Sequence, residues 1–117
     1  MSSYTLEELE AVVSVLNDHI EKLKRAENRS LRLGIESSWL AIKQWRIVLT
    51  ALLNEAEGVI KMISKGHMLA SSRQACILYD RINRILGSMD SYGQIALGSR
   101  YILVSLADAM RILCYST

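Results

Sequence analysis

The chain has 117 residues, of which 50% are hydrophobic and 22% charged, with a formal net charge of +2. That length suits one domain, 1–117, and that apolar content excludes disorder, while so small a charge implies no partner by itself. Proline is absent and glycine numbers only 6, too few for the turns of a β protein, so the expected fold is all-α: an antiparallel up-down four-helix bundle whose second helix is long and central.

The first helix opens on Thr5-Leu6-Glu7-Glu8, which fits a capping box with Thr5 as N-cap. Leu6, Leu9, Val13, Leu16, Ile20 and Leu23 follow at steps of three and four, one face of a helix. The seam fails at Glu27 and Ser30. Gly34 is the expected end, because glycine takes a left-handed conformation cheaply.

The second helix is expected from about 36 to 64 and holds both tryptophans. Ile42, Trp45, Leu49, Leu52, Ala56, Val59 and Ile63 form its seam, and Leu40, Ile47, Val48, Leu53 and Ile60 widen it. A face that broad must touch two or three neighbours. Ser64-Lys65-Gly66-His67 breaks the chain, and a third helix is expected from about 69 to 87. Ser91-Tyr92-Gly93-Gln94 fits a second capping box, opening a fourth helix from about 92 to 115. Its seam is Ile95, Ser99, Ile102, Leu106, Ala109 and Leu113, yet Leu97, Tyr101, Val104 and Tyr115 make the other side apolar too. An outer helix of a lone bundle should be wetter, so a second chain is expected to cover it.

Motifs for catalysis are missing. No HExxH, Glu-x-x-His, Walker or GxGxxG pattern occurs. His19 reads as a helix-surface residue and His67 as a solvated turn residue. No serine has a base nearby in sequence. Asp80 and Arg84, and Asp108 and Arg111, read as one-turn ion pairs. No catalytic residue, cofactor or metal is assigned.

Cys76 and Cys114 read as buried thiols. Placed about 11 residues before the last turn and about 24 after it, they differ in height by ~20 Å at ~1.5 Å per residue, which excludes a disulfide. With no basic-then-apolar leader and no apolar run of bilayer length, the expectation is no membrane partner and a reducing cytoplasm, in a cell or a virus-infected one.

Charge is the remaining asymmetry. Folded up and down, the chain gathers Lys22, Arg25, Arg29, Arg32, Arg46 and Arg84 at one pole, and the opposite pole is acidic. The sequence therefore supports a non-catalytic α-helical interaction or assembly protein, a homo-oligomer or a small subunit of a larger complex. Its contacts are expected through Leu97, Tyr101, Val104 and Tyr115 of the fourth helix and Leu40 and Ile47 of the second. The alternative is a nucleic-acid-binding accessory subunit that uses the six basic residues on phosphates and Trp39, Trp45 or Tyr92 on bases.

Overall fold

A computed structural model describes residues 3–116, with side chains from residue 6 onward. Five α-helices pack against one another: α1 (Ser3–Arg32), α2 (Glu36–Ser64), α3 (Met68–Gly87), α4 (Gln94–Leu97) and α5 (Arg100–Cys114). A 3-10 turn, Met89–Tyr92, lies between α3 and α4. No strand occurs among the described residues. The principal packing partners are α1 with α2, α2 with α3, α3 with α5 and α5 with α1. The molecule measures 50 × 24 × 18 Å.

The helices stop where local chemistry makes them stop. At Gly34 the backbone reaches φ +71°, the amide of Gly34 bonds the Leu31 carbonyl, and the amide of Ile35 bonds that of Ser30. This pair of bonds is the Schellman closure, and a Cβ at such a φ would be strained. The same pair, Gly66 to Ile63 and His67 to Met62, closes α2. At the other end of α1, the helix is already under way at Thr5, which is therefore not its N-cap.

The core is one cluster drawn from every helix. α2 buries Ile42, Trp45, Leu49, Leu52, Leu53, Ala56 and Val59, six of them from the expected seam; Ile63 is only half-buried. The α1 seam does not fail where expected. Glu27 and Ser30 are buried on the same face as Leu23, and each is satisfied across the helix pair. Arg46 grips Glu27 with two donors, Nε on Oε2 and Nη2 on Oε1, the latter at 3.2 Å. Ser30 Oγ lies 3.3 Å from Ser38 Oγ. Polar residues can continue an apolar seam when a partner helix supplies the missing bonds.

The fourth expected helix is interrupted. Ser91 does not cap it; its hydroxyl donates to the Ser88 carbonyl at 2.6 Å within the 3-10 turn. The chain reverses at Gly93, whose φ of +82° no other residue between α3 and α4 shares. From there α4 and α5 follow, separated by a turn at Gly98 and Ser99 (φ −65°, ψ −16° and φ −98°, ψ −4°).

That irregular stretch corrects the expectation for the cysteines. The chain does not pass from α3 through one turn into a single straight helix: the 3-10 turn and the short α4 stand between Gly87 and Arg100, and Tyr92 of that turn packs beside Trp45. A height counted from one turn at Gly87 therefore misplaces Cys114 relative to Cys76. They are joined in a disulfide, with Cα atoms 4.7 Å apart. Ser72 adds a hydroxyl bond of 3.0 Å to the Cys114 carbonyl, so the last turn of α5 is tied twice to the start of α3.

Candidate functional site

The outward side of α4 and α5 is an apolar stripe. Leu97, Tyr101, Val104 and Tyr115 stand 41–76% exposed, and Ile112 beside them is exposed as well. Leu97, Tyr101, Val104, Asp108, Arg111 and Tyr115 recur at steps of four and three, and both charged members are exposed. The inward side is fully used: Ile102, Leu103, Leu106, Ala107, Ala109, Met110 and Leu113 are all buried. Both sides are apolar because the core takes one and leaves the other uncovered. Between this stripe and α1 runs a shallow apolar groove, lined by Ala11, Val12, Val15, Tyr101, Ile102 and Ser105. The expected Asp108–Arg111 ion pair does not form.

Leu40 and Ile47 are also exposed, but they do not join the α5 stripe. Their helix packs chiefly on α1 and α3, whereas α5 packs chiefly on α3 and α1. The six expected interface residues therefore form two patches.

The basic residues divide in a similar way. Lys22, Arg25, Arg29 and Arg32 are exposed along α1, and none has an ion-pair partner among the described residues. Arg46 is not available to a ligand, because its guanidinium is held by Glu27; that hydrogen bond, more than the opposing burial, raises its pKa above the ordinary value. Arg84 donates to Asp80 at 2.8 Å, the expected one-turn pair, on the exposed face of α3. Arg81 reaches Glu55 across the α2–α3 contact. The aromatic residues expected to stack on bases are engaged: Trp45 is buried and its ring lies 4.9 Å from that of Tyr92, while half-buried Trp39 carries Lys43 Nζ 4.9 Å from its ring centroid.

One polar cluster escaped sequence reading. Ser99 is 0% exposed. Its Oγ accepts from Trp45 Nε1 at 2.9 Å and lies 2.7 Å from His19 Nε2. His19 is thus not a simple surface residue; burial, and second the Lys22 ammonium, lower its pKa from the ordinary value. The Ser99 hydroxyl has one hydrogen and two lone pairs, so beside the bond from Trp45 it can either donate to His19 Nε2 or accept from it, according to the tautomer of the ring. Serine and histidine at this distance resemble a nucleophile and its base, but this hydroxyl is fully buried and does not line the groove between α1 and α5. Sequence gave one faint signal for it: a serine standing inside an otherwise aliphatic seam.

Among the described residues, no group of three or more His, Cys, Asp or Glu side chains could hold a metal ion, and no helix is long and apolar enough to cross a membrane. No family model, curated protein or solved structure matches the chain.

Proposed function

We propose that the chain is a non-catalytic helical assembly protein, built as an up-down bundle in which α4 and α5 act as one fourth helix. It associates with a second copy, or sits as a small subunit in a larger complex, through the outward stripe of that helix. The observation that carries the reading is the exposed stripe Leu97, Tyr101, Val104, Asp108, Arg111 and Tyr115, with Ile112 exposed beside it. Its steps of four and three are the spacing that lets one helix seat its side chains between those of another. Tyrosine is also among the residues that dominate protein interfaces.

The charges on the stripe favour a two-fold antiparallel pairing. An axis that sets Asp108 against the partner's Arg111 also sets Val104 against the partner's Tyr115. Both charges are exposed and unpaired within the chain, so the pairing gives each an opposite neighbour. Analytical ultracentrifugation at micromolar concentration tests the reading. A dimer that Val104→Glu with Tyr115→Glu converts to a folded monomer supports it, and a monomeric wild-type chain removes self-association. The nucleic-acid reading loses ground because two of its six cations and its stacking rings are already engaged.

A further inference from the structure

The end of the α1–α2 hairpin projects from the rest of the molecule. The 30 residues of α1 account for ~45 Å at ~1.5 Å each, close to the full 50 Å length. The side-chain hydrogen bonds and ring contacts that tie α1 and α2 to the α4–α5 arm reach no nearer to this end than His19 and Trp45. Beyond them every residue from 31 to 37 is exposed. The foremost side chains are aliphatic: Leu31, Leu33, at 67% exposure, and Ile35. Arg25 and Arg29 lie behind Leu31 along α1 and Arg32 stands between Leu31 and Leu33; the three arginines line one hollow with Leu31, and Leu31 also borders the apolar hollow that holds Ile35 and Trp39.

We propose that this hairpin end docks on an anionic membrane surface, with Leu31, Leu33 and Ile35 entering the headgroup–acyl boundary and Arg25, Arg29 and Arg32 meeting lipid phosphates. The make-up of the tip carries the assignment. Leu31, Leu33 and Ile35 are interleaved with Arg32 and backed along α1 by Arg29 and Arg25, and Trp39 lies one turn back from Ile35, the depth at which tryptophan settles in a bilayer interface. This is contact with one leaflet, so it needs no spanning helix, and it revises the expectation of no membrane partner. A second copy seated end to end would bring three unpaired arginines against three, with only Glu36 on each side to offset them. A nucleic acid would meet the cations but leave the leading aliphatic side chains against water. The site lies apart from the α5 stripe and does not depend on pairing there.

Co-sedimentation of the full chain with vesicles of phosphatidylcholine alone, and of equal parts phosphatidylcholine and phosphatidylserine, tests the proposal. Pelleting is expected only with the anionic vesicles and is lost at high salt. Arg29→Gln should weaken it about fivefold and Leu33→Asp about tenfold or more. Both positions are exposed, so each variant should keep the wild-type circular dichroism and melting temperature. The proposal is overturned by no pelleting, by equal pelleting with both vesicles, or by a folded Leu33→Asp chain that binds as well as wild type. Self-association that Leu33→Asp abolishes would assign the hairpin end to a second copy. Binding to a short oligonucleotide in preference to vesicles would assign it to nucleic acid. Either result overturns the membrane assignment.

Discussion

The indole of Trp45 donates to the hydroxyl of Ser99 over 2.9 Å in the buried interior, linking the middle of α2 to the break between α4 and α5. Ser99 is also the N-cap of α5, and its carbonyl accepts from the amides of Ile102 and Leu103. One residue therefore interrupts the last helix, restarts it and satisfies a buried tryptophan. Ser99→Ala should leave the Trp45 N–H without an acceptor and cost about 1–3 kcal/mol. Urea unfolding followed by tryptophan fluorescence checks this; Ser99→Thr, which keeps the hydroxyl, should recover part of the loss.

His19 makes the same cluster sensitive to pH. Burial, then the Lys22 charge, lowers its pKa from 6.5, so the folded chain resists a proton that the unfolded chain accepts. Stability should be full above the ordinary histidine range, fall as the pH drops through it, and level off once the folded-state ring also titrates. A protonated ring carries a hydrogen on both nitrogens, so Ser99 Oγ would then accept from His19 and Trp45 together. Thermal melts from neutral to mildly acidic pH should show this slope in wild type, and His19→Gln should flatten it. An unchanged slope in the variant would move the dependence to other groups.

The Glu27–Arg46 pair closes the α1–α2 contact on a side chain 8% exposed. Glu27→Ala would strand the guanidinium in a half-buried site, at a cost of about 1–3 kcal/mol. Replacing both partners, Glu27→Leu with Arg46→Leu, should cost less than Glu27→Ala alone, because no unpaired charge remains. A double-mutant cycle by chemical denaturation measures the coupling.

The Cys76–Cys114 disulfide spans 38 positions and fixes the final turn of α5. Closing a loop of that size in the unfolded chain is worth about 2–4 kcal/mol. Dithiothreitol should lower the melting temperature accordingly and speed amide exchange first near Leu113 and Cys114, which become the free end of a helix. Thiol titration of the purified chain shows whether the bond is present. Its presence would favour an oxidising compartment over the cytoplasm expected from sequence.

Sequence periodicity located α1, α2 and α3 well, because each is long and carries a regular seam. The glycines at 34 and 66 marked their ends for a backbone reason that any context preserves. Interruptions set by tertiary contacts were not legible. Nothing local shows that Ser99 must turn inward to Trp45, or that Glu27 has Arg46 opposite it. The capping-box pattern at 91–94 was outweighed by the 3-10 turn and the short α4 that stand between α3 and α5. That irregular stretch misplaced the two cysteines. For the exposed faces, apolar excess on the last helix was readable, but its separation from Leu40 and Ile47 depends on which helices are neighbours.

The proposed pairing along α5 makes a charge-swap prediction. Asp108 and Arg111 are exposed, three positions apart, and not bonded to each other. If an antiparallel second copy sets each opposite the other's counterpart, Asp108→Arg should place four cations at the centre of the interface, and Arg111→Asp four carboxylates. Each single change should weaken the dimer by about tenfold or more, since like charges across an interface are strongly disfavoured. The double variant restores opposite signs at both contacts and should recover most of the affinity. Equilibrium sedimentation of the four proteins at low and moderate salt gives the coupling directly, and the single-variant penalties should shrink as salt rises. Additive losses in the double variant would mean that these two positions do not face each other, whatever the role of Tyr101 and Val104.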